Sequence, residues 1–329
     1  MTKLNKKPQA ELHAHLGSSV NPAILWSIAH RQGIRLPTKD YWDFEDMITM
    51  GEGRKNKNLD QMHNNFFHWT ELIQSSPEAI LESVKSVIGG GYRACNLVLQ
   101  ELRFDPMFRN RGGERDLDHI IMAALWGLDQ AMLEFPQVRG GIILMGDRTL
   151  NYDHNRIIFQ KAIKYKNRGV VGIDIAGPER KTFSIKKHRV LIAEAKQAGL
   201  GITMHTGEIG SINELKFVVR EIRPHRIGHG IKSALDKGLM RDIVKQNITL
   251  ETCPTSNLRN SVVKNLKELK NVYRTLLKYK VKFTINTDGP EMYRTNILKE
   301  QKLLIDSGIL TVKQVEQCTT WAFEASFVK

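Results

Sequence analysis

Glu11-Leu12-His13-Ala14-His15 sets two histidines two positions apart in an apolar, strand-like setting near the start of a chain of 329 residues. Side chains alternate along a strand, so His13 and His15 leave the same face and both imidazoles can meet one ion. Two neighbouring histidines can equally be an accident of composition. The rest of the chain tips the balance, because it supplies a third histidine, an aspartate and a glutamate at the ends of further apolar runs.

Outward from that stretch the chain alternates strand and helix. Strands are expected over 10–16, 95–104, 141–145, 170–175, 201–205, 226–228, 248–251 and 282–286. Helices are expected between them, over 22–32, 77–88, 117–135, 155–166, 184–198, 211–222, 233–246 and 263–279, the first capped by Asn21 with Pro22 at its first position. Strict alternation favours a parallel α/β sheet, and eight such units favour a closed (β/α)8 TIM-type barrel. The rhythm breaks over 36–76, where aromatic residues mix with a polar run. An insertion after the first strand is where a barrel enzyme would carry a lid, although a surface helical hairpin fits the same composition. No repeat and no Pro/Gly/Ser-rich linker divides the chain, so residues 1–329 are expected to form one domain.

Composition narrows the class. Hydrophobic residues at 41% and charged residues at 26% are ordinary for a soluble globular protein. Lys3, Lys6 and Lys7 are followed by no apolar run and no 18-residue apolar stretch exists, so neither a leader nor a membrane span is expected. Cys95, Cys253 and Cys318 are scattered and odd in number, which suits reduced core thiols and a cytoplasmic location. The net charge of +14 invites an anionic partner, but its densest runs, 264–282 and 161–168, keep helical spacing between apolar residues. They are simplest as solvated helix faces. No nucleic-acid motif accompanies them, so no specific nucleic-acid partner is expected.

On this frame the polar residues converge. His13 and His15 lie on the first strand, His205 ends the fifth, His229 follows the sixth and Asp288 follows the eighth. Imidazoles with a carboxylate make an N/O donor set suited to Zn²⁺ or a related divalent ion, which lowers the pKa of bound water to about 7. Glu208, three residues after His205, is placed to shuttle a proton beside the metal. His229 is either a further ligand or the group that orients the attacking water. Cys253 has no histidine in a pairing position, so it is expected to be a core thiol.

Five segments carry a resemblance: Glu11-Leu12-His13-Ala14-His15-Leu16, His205-Thr206-Gly207-Glu208, Arg226-Ile227-Gly228-His229-Gly230, Leu250-Glu251-Thr252-Cys253-Pro254-Thr255-Ser256-Asn257 and Asn286-Thr287-Asp288. In that order they resemble the motifs of the adenosine deaminase family within the amidohydrolase superfamily, and the resemblance runs on to Ala325-Ser326-Phe327. It implies one zinc ion held by His13, His15, His205 and Asp288. It further implies that Glu208 protonates a purine ring nitrogen, that His229 positions the attacking hydroxide, and that the Gly177 N–H contacts another ring nitrogen. The expected activity is zinc-dependent hydrolytic deamination of adenosine or a related 6-aminopurine nucleoside or nucleotide. The small-molecule substrate is the expected partner.

Two departures set the chain apart. The family usually follows its metal-binding aspartate with a second one that contacts the purine, and here Gly289 stands there. It also tends to carry an acid or amide after the HxHL segment, which in true adenosine deaminases helps bind the ribose 5′-hydroxyl, and here Gly17 stands there, followed by Ser18 and Ser19. Both changes remove a side chain. A less acidic, roomier pocket is expected to tolerate a 5′-modified or anionic substrate; in the competing expectation Ser18, Ser19 or water replaces the lost contacts and adenosine stays the substrate. Two alternatives remain: a deaminase of a different aminated heterocycle, and a catalytically weak basic binding protein, against which the intact polar set argues.

Overall fold

The computed structural model describes residues 7–51, 53–56, 66–110, 115–178, 180 and 182–329. Its strands are β1 (Gln9–His15), β2 (Leu97–Phe104), β3 (Arg139–Asp147), β4 (Val170–Ala176), β5 (Gly201–Ile202), β6 (His205–Thr206), β7 (Arg226–His229), β8 (Thr249–Thr252) and β9 (Phe283–Ile285). They pair in parallel, in the orders β1-β2-β3-β4-β5 and β6-β7-β8-β9.

Hydrogen bonds join the two sheets at both seams. At one, Thr203 N donates to Ile173 O (3.1 Å) and Gly228 N to Met204 O (2.8 Å). At the other, His15 N donates to Asp288 O and Asp288 N to His13 O, both at 2.8 Å, so the last strand's extension meets the first. The result is the expected (β/α)8 ring, with one correction. The fifth strand is two short pieces, β5 and β6, because the His205 amide is taken by a side chain, Asp174 Oδ1 (3.2 Å), instead of by the ladder.

Helices follow the strands and bury apolar stripes against them. In Leu266–Lys278, Leu269, Tyr273 and Leu276 face inward at helical spacing, which leaves the lysines of this segment outward, as expected. Other boundaries shift. The expected 77–88 helix continues as Pro77–Cys95 through three glycines, ended by Asn96 in a left-handed conformation (φ 53°). A Cβ on Gly91 would fall 2.6 Å from Gln100 Oε1, so glycine there permits close helix-to-strand packing. The 263–279 helix starts at Leu266, where Asn265 caps it, and the 211–222 helix ends in a π turn, Val218–Ile222.

The insertion contributes the helices Tyr41–Ile48 and His68–Ile73, while 52 and 57–65 lie outside the described residues. Met50, Phe66 and Phe67 bury together with Met292 and Tyr293, which follow Asp288, so the insertion packs against the end of the barrel that carries the polar set. The other end is sealed by the C-terminal segment. The Arg226 guanidinium lies 3.6 Å from the centroid of the Phe327 ring, and Glu101 accepts from Ser326 Oγ (2.7 Å) and Phe327 N (2.6 Å).

A Cβ on Gly127 would fall 2.4 Å from the Leu81 carbonyl oxygen, where the helices Pro77–Cys95 and Leu117–Glu134 touch. Gly127→Ala is expected to push the two backbones apart and cost about 1–3 kcal/mol, measured by urea denaturation.

Candidate metal centre and catalytic site

The residues that converge in sequence also converge in space. His15 Nε2 lies 3.1 Å from His205 Nε2 and 3.3 Å from Asp288 Oδ1, and His13 Nε2 lies 3.7 Å from the same oxygen. A tetrahedral ion with bonds of about 2.0–2.1 Å has ligand-to-ligand edges of roughly 3.3–3.4 Å. The observed spans bracket that value. His13 Nε2 is buried and has no hydrogen-bond partner among the described residues, a vacancy that a cation would fill. Burial, reinforced for His13 by Arg103 and for His15 by His205, holds both imidazoles well below the ordinary histidine range, so they present lone pairs at neutral pH. The donor set fits a divalent ion.

Carboxylates behind the imidazoles fix which nitrogen faces the centre. His13 Nδ1 donates to Glu251 Oε2 (2.7 Å), and His205 Nδ1 lies 2.8 Å from Asp174 Oδ2. Each ring then offers Nε2 inward. Arg103 ties the two carboxylates together: Nη1 donates to Asp174 Oδ2 (2.7 Å) and Nη2 to Glu251 Oε2 (2.8 Å) and Leu12 O (2.5 Å). Arg226 Nε and Thr203 Oγ1 donate to the other Glu251 oxygen at 2.6 and 2.8 Å. Burial alone would raise Asp174 and Glu251, but His205 and Arg103 hold Asp174 far below the carboxylate range, and Arg103 and Arg226 hold Glu251 near 2. Glu11 pins the seam, since it accepts from His13 N (2.9 Å) and from Thr287 N (3.0 Å) and Oγ1 (2.7 Å).

Glu208 and His229 stand over the centre. His229 Nε2 is 3.6 Å from Glu208 Oε2 and 4.0 Å from Asp288 Oδ2. The Asn257 amide nitrogen faces His229 Nδ1 at 3.0 Å, which leaves the ring proton on Nε2, pointing into the site. That arrangement suits the orienting role left open for His229 better than ligation. Burial raises the Glu208 carboxyl and lowers His229 to about 4. His229 and Asp288 both hold left-handed backbones (φ 60° and 64°), strained for non-glycine residues and set by the segment around them. Ser256 donates to Asp288 Oδ2 at 2.5 Å, and Glu300 anchors this segment by accepting from Thr255 N (2.9 Å).

The three glycines have different surroundings. Gly177 (φ 87°) follows β4, and its carbonyl accepts from Arg148 Nη1 at 3.4 Å, while Arg148 Nη2 holds the His205 carbonyl at 2.6 Å. The space vacated at Gly17 is filled: a Cβ there would fall 3.0 Å from the Phe67 ring and 3.2 Å from Arg109 Nη2. A Cβ on Gly289 would fall 2.6 Å from Ser18 Oγ. The expected roomier pocket is therefore not present at either position, because neighbouring side chains occupy both. Cys253 is the expected core thiol, fully buried, with burial pushing it well above the ordinary thiol range.

Arg103 and Asp174 lie outside the quoted motifs, and Glu251 and Asn257 lie inside one that assigned them no role; the structure places all four against the polar set. For Arg103, Asp174 and Glu251 the available signal was a charged residue inside a mostly apolar strand run.

The adenosine deaminase family profile matches residues 8–329. An adenosine deaminase of Clostridium botulinum (strain 657) is 28% identical over 322 residues, covering 98% of this chain and 95% of that protein. Among solved structures, an adenine deaminase of Arthrobacter aurescens superposes with a TM-score of 0.86 at 20% identity, over 98% of this chain and 94% of that one. An N6-mAMP deaminase of Arabidopsis gives a TM-score of 0.82 at 22% identity, over 100% and 96% of the respective chains. Proteins named for a free base and for a nucleotide thus share this fold.

Two outcomes follow from the support around the centre. Glu251→Gln removes the charge that holds the His13 tautomer, and zinc affinity is expected to fall about 10–100-fold in competition with a chromophoric chelator. Glu300 is pushed by burial from 4.5 to about 7, so the folded chain keeps a proton that the unfolded chain has lost, and stability falls as pH rises from 4.5 to 7. Glu300→Gln mimics the protonated carboxyl. It is expected to raise the Tm above pH 7 and leave it unchanged near pH 4.5.

Proposed function

The chain belongs to the adenosine deaminase family, and from that premise we propose that it removes the amino group of adenosine or a closely related 6-aminopurine, with zinc held by His13, His15, His205 and Asp288. The observation that carries this reading is the convergence of those four ligand atoms beneath Glu208 and His229, with a buried, unpartnered Nε2 on His13. When bound, the ion supplies the Lewis acidity that turns water into a nucleophile at neutral pH.

The chain's own residues do the rest. Glu208, raised by burial, holds a proton more readily than an exposed carboxylate and delivers it to the ring nitrogen beside the reacting carbon. Protonation there drains electrons from that carbon as the water oxygen attacks it. The Nε2–H of His229 orients the attacking oxygen, and the Asn257 contact keeps that proton in place. The amino group then leaves as ammonia with a proton drawn from the water, so water and aminopurine become oxopurine and ammonia. The Gly177 backbone N–H is assigned to a second ring nitrogen. Gly17 and Gly289 line the pocket through backbone, with Ser18 beside Gly289 as the nearest polar side chain.

Ammonia release from zinc-loaded protein tests the reading with adenosine, 2′-deoxyadenosine, AMP, N6-methyl-AMP, adenine, a pterin and a cytosine compound. Glu208→Gln is expected to lower kcat by about 10²–10⁴-fold at unchanged zinc content. Turnover restricted to the pterin or cytosine compound would overturn the purine assignment.

A further inference from the structure

The helix Pro77–Cys95 carries three glycines in a row, and packing accounts for only two of them. A Cβ on Gly89 would fall 2.7 Å from the Phe135 ring, and the Gly91 position is closed by Gln100. A Cβ on Gly90 would meet no atom of the described residues within 4 Å beyond its own stretch of helix backbone. The Gly90 backbone is helical, so no left-handed turn calls for glycine either. Glycine weakens a helix interior, and a glycine free of both constraints leaves a bare backbone open to close approach by something else.

Gly90 opens onto a cavity of about 640 Å³ on the outer side of the barrel. That size falls within the range of small-molecule sites, about 300–1,000 Å³. Ala14 and Leu102, paired across β1 and β2, line its floor together with Leu97. Ala14 lies between His13 and His15 and leaves the opposite face of the strand, so the cavity sits behind β1, apart from the candidate metal centre. Gly90 and Gly91 form one wall and Ile297 belongs to another. The polar side chains around the floor already have partners: Glu11 accepts from Thr287, and Gln100 Nε2 donates to Ile88 O at 2.8 Å.

At the rim the cations are committed as well. Arg294 Nη2 lies 3.7 Å from Glu45 Oε2, and Arg294 Nε and Nη2 donate to Thr49 Oγ1 at 3.3 and 3.1 Å. Lys299 Nζ donates to the Arg294 carbonyl at 3.1 Å, and the Arg93 guanidinium lies 5.3 Å from the centroid of the Phe135 ring. Glu291 differs from them. Its half-buried carboxylate has one contact among the described residues, a long one from Asn21 Nδ2 at 3.5 Å. Burial raises this carboxyl, Lys299 opposes the rise and Glu45 adds to it. A cation seated beside it would hold it in the charged form.

An apolar floor, a wall without side chains and one carboxylate short of partners together describe an occupant. Its body is flat and apolar, and its polar end is cationic. We propose that this cavity is a binding site for an aromatic molecule carrying a protonated amine, with the ring against the Gly90–Gly91 backbone and the ammonium on Glu291. The site stands whether or not the chain deaminates purines.

Isothermal titration at pH 8 with tryptamine and with indole-3-propionate, one ring system with opposite charges, tests the assignment. On a chain of net charge +14 the general field favours the anion, so a preference for the amine reports a local carboxylate. Tryptamine is expected to bind at least about 10-fold more tightly than indole-3-propionate. Glu291→Gln is expected to weaken tryptamine about 10-fold and to remove that preference. Gly90→Leu puts a side chain into the cavity while replacing a helix-weakening residue, so it is expected to keep or raise the Tm and to lose tryptamine binding. The proposal is overturned if indole-3-propionate binds as tightly as tryptamine, if neither binds, or if tryptamine affinity is unchanged in Gly90→Leu or in Glu291→Gln.

Discussion

Arg103 is the constraint on which the site depends. Its guanidinium is fully buried between Asp174 and Glu251, and those two carboxylates set the ring orientations of His205 and His13. A buried ion network is an expensive way to fill space, and apolar residues of the same volume are often at least as stabilising. What it supplies is orientation: each imidazole is held in one tautomer, its free nitrogen directed at one point. Losing one member would strand the others as uncompensated buried charges, at about 3–5 kcal/mol. Stability and the orientation of the imidazoles are thus coupled through a single side chain.

The opposite side of the centre is held by backbone geometry. His229 and Asp288 occupy left-handed conformations that disfavour most side chains, and the Pro254–Arg259 helix braces both through Ser256 and Asn257. The brace is itself moored by Glu300, from the Ile297–Asp306 helix. Local strain persists because the surroundings over-determine it. Side chains held this way are pre-organised and need little rearrangement to meet a ligand.

How much was legible in the sequence follows from the kind of signal each residue gives. Strand periodicity and the His13/His15 spacing carried the barrel and the convergence of the polar cluster, because alternation is a property of the local backbone. The break in the fifth strand was not legible, since a side chain from β4 causes it. Glu251 and Asp174 sat in plain view within apolar runs, yet their partners, Arg103 and Arg226, lie on other strands and only the closed ring brings them together. Gly17 and Gly289 misled for a related reason. A missing side chain suggests open space, but Phe67, Arg109 and Ser18 come in from elsewhere to fill it.

The seam between the first strand and residue 288 has a consequence for biosynthesis. The His13 and His15 backbones are hydrogen-bonded to that of Asp288, so one side of the polar cluster is made early in synthesis and the other only near its end. A nascent chain carries an unfinished half-ring, with its imidazoles and the edge of β1 exposed, for most of its elongation. Loop-closure entropy makes such a distant pairing slow to form, and unpaired strand edges are prone to association in the interval. A truncated or stalled chain that lacks the Asp288 segment would therefore lose more than a single side chain of the cluster: it would also leave the edge of β1 without the backbone partners that residue 288 supplies.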